Sequence, residues 1–572
     1  MTELQQIRSP ESYLSVRQLL QLSSGDLLET LTGMDRLDAF VQSLPPDDFF
    51  WLIKRIGADD ALAVLQKAST EQWQYLLDLE IWAKDVLDAQ KTLAWIDRLR
   101  RADAARLAAW AFEEQSALVS LALLRKTEII FKEEEDEWDV PPGYFTLDGS
   151  FYIKTWDSSE AQLVEDFLRV LAGTDYSSYR ALLLQLTSVS PAEIEEELYR
   201  MRSGRLTEQG FAPFEEALEV YAPLDVNALQ TEAKPLLPGA LVEAEKKNLV
   251  PSASLSGIKN FELLNDAMGM ITDPLEADRV RLEFAALCNK LIAADAFSCI
   301  DDYENLLRVG RQAAGYLHIV TEMLCGGKPR EAAQLLRDHS LATIFRVGFG
   351  FALKLQWRAR RWLGQNWSAQ IGKGPDFWGT PWSDALAGLL FPRPLYFDRS
   401  RPDREYRHFE SVEELRETEA LLDQAEALDR MLARLTRAEA SALATNNCEK
   451  FYPLLFNRWA RHLLDLEPSF APLSRAQAIE FFSILRRGET SVPYTMERYR
   501  GVFLNEFLQG AAGLDAKTTL SLRAALNEIW QVFCREYENI RSADLDARWS
   551  PYLLIEASAR QKNRKMKSAI LG

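Results

Sequence analysis

The stretch DDFFWLIKRIGADDALAVLQKASTEQWQYLLDLE, residues 47–80, decides the fold class. Helix-start residues stand at Asp47, Asp59 and Thr70, so three short segments follow one another at steps of 12 and 11 residues. Within them Phe49, Leu52, Ile53 and Ile56, then Ala61, Val64 and Leu65, then Trp73, Leu76 and Leu77 recur at the i, i+3, i+4 spacing of a helix with one apolar face. Ser69 with Gln72 three residues later reads as a capping box, each side chain closing the other's backbone N–H. Helices of about ten residues are marginal alone in water, so such a run must stack on its neighbours as solenoid repeats do. The Ala- and Leu-dense stretch from Lys91 to Leu124 continues the stack.

Working outward, the whole chain has 572 residues, 66 Lys and Arg against 85 Asp and Glu, a net charge of −19 and a pI near 5.0. With 47% hydrophobic and 26% charged residues this is ordinary globular composition, which argues against a fibrous repeat or wholesale disorder. The acidic total repels phosphate backbones, so nucleic-acid binding would need a local basic patch. Five dispersed cysteines (Cys288, Cys299, Cys325, Cys448, Cys534) form no C-x-x-C, and are expected as reduced thiols. The opening MTELQQIRSPE lacks a cationic and then apolar leader, and the apolar run Val347 to Leu353 is far short of the ~20 residues a bilayer requires. No membrane span and a cytoplasmic location are expected.

The stretch LPPDDFFWLIKRIGADDALAVLQ resembles the short-helix superhelix of the cytosolic part of bacterial magnesium transporters, over residues 44–126. That resemblance implies architecture only, because the membrane helices of that family are absent and with them any ground for a magnesium site. Further on, EEELYRMRSGRLTEQGFAPFEEALEVYAPL together with FWGTPWSDALAGLLFPRPLYF is similar to an uncharacterised family of bacterial all-helical proteins, which would cover most of the chain. It implies one unit of unknown function rather than a known enzyme with additions.

The expected fold is mostly α: a short-helix, solenoid-like N-terminal lobe over 1–126, further helical lobes, and one small β-hairpin near residues 144–154. In the hairpin Asp148-Gly149 supplies the positive φ of a tight turn. An acidic run from Glu133 to Asp139 precedes it, and the segment 127–225 continues in helices, one of them opened by Ser190-Pro191. Residues 226–257, with three prolines and several serines, read as a linker. A helical lobe over 258–363 has Arg279 to Leu291 and Tyr303 to Cys325 as its clearest helices. The Trp/Arg-rich segment 364–411, a C-terminal lobe over 412–559 opening on the long helix Val412 to Leu435, and a basic tail over 560–572 complete the chain.

Chemistry-bearing motifs are sparse. The four histidines (His318, His339, His408, His462) form no metal-ligand spacing, and no nucleophile motif or P-loop occurs. Gly348-Phe349-Gly350 reads as close helix packing and Gly326-Gly327 as a helix stop. Glu197, Arg200, Arg202 and Arg205 read as an ion-pair network at a helix end. No cofactor, metal or catalytic residue is expected, and the balance leans away from an enzyme.

The informative departure is Lys354 to His408, where ten Lys and Arg face five Asp and Glu, a local charge of +5. Tryptophans and tyrosines are interleaved, which names Arg358, Arg360, Arg361, Trp378, Trp382, Arg399, Arg401 and Arg404 as binding residues. Arg with aromatic planes can hold phosphates and stack bases, can anchor a protein interface, or can clasp an acidic lobe of the same chain. The expected function is a non-catalytic cytosolic scaffold with an unidentified protein partner. Nucleic-acid or phosphate-ligand binding through 354–408 is the alternative, and an enzyme with a site invisible in sequence the second alternative.

Overall fold

The computed structural model describes residues 16, 18–132, 139–186, 190–231, 254–255, 258, 261–295, 297, 300, 302–400, 405–435, 449–486, 491–541, 544–545 and 550–556. The core of the expected linker, most of the acidic run, Arg401, Arg404 and the basic tail lie outside the described residues. The chain divides into two compact units, Met1–Gly350 and Phe351–Gly572. It is mostly helical, with a few small antiparallel strand pairs.

The first unit begins with the short helices Ser24–Thr32, Leu37–Ser43, Pro46–Ile56, Leu62–Lys67 and Thr70–Glu80. Every apolar position read from the 47–80 pattern is buried. The capping box at Ser69 and Gln72 is formed, and Gln72 Nε2 also donates to the Val41 and Leu44 carbonyls, tying two helices together. Asp59, expected to start the middle helix, instead accepts from Arg98 Nε at 2.7 Å, and that helix begins only at Leu62 without a side-chain cap. The Pro46–Ile56 helix is buried on more than one face, since Asp47, Asp48, Phe50 and Trp51 are buried as well.

Next come a minimal strand pair, Trp82–Ala83 with Val86–Leu87, and the helices Ala89–Glu113, broken at Asp103, and Ser116–Lys126. Among the described residues no single helix is long and apolar enough to cross a membrane. The last two pass only as a pair, and bend by 98°.

The expected hairpin forms, with Gly149 at φ +76 and Asp148 Oδ1 accepting from the N–H groups of Ser150 and Phe151. It is not isolated: Phe151–Thr155 pairs with Phe145–Thr146 on one side and Thr127–Phe131 on the other, giving a three-stranded sheet. That corrects the expectation of a single hairpin, as do the two-stranded pairs at 82–87 and 396–407. A lone hairpin is marginal, and the third strand supplies the missing partner.

Helices Ala161–Thr174, Tyr176–Leu186 and Pro191–Glu208 follow, then Pro274–Ala294, Tyr303–Cys325 and Pro329–Asp338. Gly348 lies where a Cβ would come within 2.3 Å of the Tyr316 carbonyl oxygen, the close helix packing read from the sequence. Gly326 ends its helix in the left-handed conformation at φ +55.

The second unit is built on Val412–Leu435 and Ala516–Tyr537, with Trp382–Leu390, Tyr452–Leu463, Arg475–Leu485 and Arg500–Gly510 around them. Its core is aromatic: Phe456 stacks on Phe533 at 4.0 Å, and Trp459 meets Trp530 edge-on at 5.6 Å.

Candidate functional site

The basic aromatic segment is largely self-satisfied. Arg358 donates to Glu426 at 3.0 Å and to Asp423, and approaches Glu419 at 3.7 Å, all three on the Val412–Leu435 helix. Arg407, the last residue of the strand pair Tyr396–Asp398 with Glu405–Arg407, bonds Asp398 at 3.0 Å and grips both oxygens of Glu414 at 2.6 and 3.2 Å. Trp378 and Trp382 are 0% and 1% exposed, packed with Trp362, Phe377 and Phe451. Trp382 Nε1 donates to Gln424. Arg399 is exposed and reaches Glu528 at 3.4 Å. Arg360 and Arg361 are exposed at the end of the Leu341–Leu363 helix. The structure therefore brings together Arg358 and Arg407 with carboxylates of their own unit and places both tryptophans in its core.

The other sequence features resolve into packing. His318 lies against Phe261 at 5.2 Å and 3.6 Å from Glu322, and Cys288 and Cys325 are buried. Half-buried His408 is pushed down to about 3, first by desolvation and then by the Arg393 charge, so its imidazole is neutral at physiological pH. Glu195 accepts from the Leu87 N–H and from Arg125, a structural bridge. No group of His, Cys, Asp or Glu suited to a metal occurs among the described residues.

A different site stands out in the first unit. The Pro191–Glu208 helix buries Ile194, Leu198, Arg202 and Leu206, a stripe at four-residue intervals in which one member is an arginine. At the end of this helix Gly210 turns at φ +84, and the Phe211 N–H closes back onto the Leu206 carbonyl at 2.8 Å, as in a Schellman cap. That sets Phe211 and Phe214 over a cavity of about 300 Å³, whose wall also includes Lys84, Tyr199, Arg202 and Phe297.

Two of these wall residues have backbones that L-residues rarely adopt. Lys84, in the turn between the two minimal strands, has φ +61, and Phe297, past the end of Pro274–Ala294, has φ +58. For a bulky residue such as Phe this is a genuine outlier, costing of order 1–3 kcal/mol and held only by its surroundings. The Phe297 N–H bonds the Ile292 carbonyl at 3.0 Å, and its ring meets Phe211 at 5.7 Å. Of the three non-glycine residues at positive φ among the described residues, two therefore face one cavity.

Arg202 is 3% exposed. Its guanidinium lies 5.3 Å from the Trp82 ring and 4.9 Å from the Phe297 ring. Nε donates to the Asp78 carbonyl at 2.6 Å and Nη1 reaches the Lys84 carbonyl at 3.5 Å, while Nη2 is buried without a hydrogen-bond partner among the described residues. The Asp78 carboxylate is taken by Arg205, through two bonds of 2.7 Å. Burial pulls Arg202 down to about 10, which leaves it charged at neutral pH.

In place of the ion-pair network expected among Glu197, Arg200, Arg202 and Arg205, Arg205 pairs with Asp78 of the Thr70–Glu80 helix and Arg202 bonds backbone carbonyls. The sequence reading missed Lys84, Phe211 and Phe297. An arginine on the apolar stripe was the one signal that pointed here.

A family described as of unknown function, DUF6178, matches residues 5–556, and the chain belongs to that family. No curated protein and no solved structure matches the chain, and the likeness of residues 44–126 to the magnesium transporters is not shown.

Proposed function

We propose that this member of the family is a ligand-binding protein, which holds a small organic molecule in the cavity of its first unit. The carrying observation is the convergence of Lys84 and Phe297, both at positive φ, on one cavity of about 300 Å³. Backbone strain is tolerated where positioning matters, and this volume is at the small end of ordinary ligand pockets. The wall offers no activated nucleophile, since the Ser203 and Thr207 hydroxyls donate to the helix carbonyls of Tyr199 and Ser203. Binding without chemistry is the simplest reading of such a wall.

The scaffold expected from the sequence is the second reading. Tyr199 and Phe214 leave apolar surface exposed beside the cavity, where a partner's side chain would serve as occupant.

Thr207 is exposed and lines the cavity, so Thr207→Trp blocks it from the solvent side without disturbing the core. The test is a fluorine NMR screen of the full chain against a library of acidic, basic and neutral aromatic fragments. Binding of one or more fragments to the wild type, lost in Thr207→Trp at unchanged melting temperature, is expected. If no fragment distinguishes the two proteins, the cavity is not a binding site.

A further inference from the structure

We infer that the occupant of the cavity is a small organic acid, a single anionic group on an apolar body, with Arg202 as its counter-charge. The inference rests on the ligand-binding reading above and adds the chemical class.

The first argument is a charge count. Arg202 and Arg205 share the neighbourhood of one carboxylate, Asp78, and Arg205 engages both of its oxygens. Arg202 bonds only backbone carbonyls, and Nη2 has no acceptor among the described residues. A buried cation whose partner is already engaged is expensive, and an anion arriving in the cavity supplies the missing half of the pair. The carboxylates of the wall do not cancel it: Asp85 and Glu215 are exposed, and water screens them. Lys84, exposed on the same wall, adds a second positive group.

The second argument is shape. Around Arg202 the wall carries rings and aliphatic groups, with Phe211, Leu206 and Ala293 buried and Phe297 half-buried. Such a wall accommodates an apolar body, and a planar guanidinium is matched in shape to a planar carboxylate. A single buried guanidinium matches a monoanion better than the dianion of a phosphate monoester, whose sites collect several donors.

Titration calorimetry of the full chain with 3-phenylpropionate, its neutral amide and inorganic phosphate separates the possibilities. The acid is expected to bind at least ten-fold more tightly than the amide, and phosphate not to bind at the same site. In Arg202→Gln the acid and the amide should become equal, and in Thr207→Trp both should be lost. The acid-to-amide ratio of the wild type needs no variant, so the inference stays testable if Arg202→Gln fails to fold. Equal binding of acid and amide to the wild type, both lost in Thr207→Trp, overturns the organic-acid assignment and leaves the ligand-binding reading standing. Phosphate binding more tightly than the acid also overturns it. Absence of binding by every fragment and by all three probes overturns both.

Discussion

Two regions of this chain surround arginines with aromatic rings, and they differ in where the positive charge goes. In the second unit Arg407 lies 5.0 Å from the Tyr396 ring and meets Asp398 and Glu414, with Glu410 at 3.6 Å. Arg358 meets two carboxylates and approaches a third in the same way. In the first unit Arg202 lies near two rings but has, among the described residues, only carbonyl oxygens as acceptors. One composition thus gives a clasp where the acids outnumber the arginine and a poised charge where they do not. Counting local Lys and Arg identifies the first region, while counting the acids that reach each guanidinium identifies the second.

The sharpest way to break this comparison is to remove both charges with the same substitution. Arg407→Met leaves Asp398 and Glu414, both nearly buried, facing each other without a cation. Breaking such a pair costs about 3–5 kcal/mol. Arg202→Met strands no carboxylate and places an apolar chain on an apolar stripe, so its cost should stay below about 1.5 kcal/mol, the scale of one hydrogen bond. Urea denaturation of the two variants measures the contrast. Equal losses would mean that Arg202 is a structural partner like Arg407 and not a spare charge.

A smaller effect, dependent on pH, sharpens the picture behind the cavity wall. Tyr75 links the two places: its ring lies 6.4 Å from that of Phe211, and its hydroxyl donates to Asp47 at 3.2 Å. Asp47 is pushed up to about 7 by burial and then by the neighbouring Asp48 charge, against the Tyr75 hydrogen bond. The folded chain therefore holds this proton more tightly than the unfolded chain does. The stability it contributes is fully present below about pH 4 and is lost as the pH rises through about 7, with a slope of at most about 1.4 kcal/mol per pH unit. Asn imitates the protonated acid, so Asp47→Asn should gain stability over the wild type at pH 8, by about 1–2 kcal/mol, and lose that advantage by pH 4. Melting curves across this range that run parallel for the two proteins would show that Asp47 is not protonated by its surroundings.

Much of the fold was legible because it is written locally. The helices Tyr303–Cys325 and Val412–Leu435 follow the spacing of their apolar residues, and the Ser69 box and the Asp148-Gly149 turn are set within a few positions. What escaped was non-local. Thr127–Phe131 pairs with Phe151–Thr155 across a long connection, and the two-residue strands at 82–87 are too short to show a period. The segment 354–408 is basic and aromatic by composition, but its neutralising acids, Glu419, Asp423 and Glu426, sit on a helix that follows it. For the cavity, Arg202 at the third place of the stripe Ile194, Leu198, Arg202, Leu206 was the readable clue. The left-handed Phe297 was not, because nothing in the sequence marks a phenylalanine for that conformation.

The smallest effect is expected at Arg360 and Arg361, and its smallness is informative. These two are exposed, on a segment whose tryptophans 378 and 382 are buried and whose Arg358 and Arg407 are already paired. If a nucleic-acid backbone were held here, the exposed pair would carry the contact, and binding would fall steeply with salt. With a net charge of −19 opposing it, two arginines with one exposed tryptophan, Trp357, on their helix are too little to hold a polyanion. The double variant Arg360→Glu, Arg361→Glu should change stability by no more than about 0.5 kcal/mol, as surface substitutions do. On immobilised single-stranded DNA at low salt, wild type and variant should both pass unretained. Retention of the wild type that the variant loses would restore the basic segment as a phosphate-binding surface, and the contrast between the two regions would then lie in which polyanion or acid each one holds.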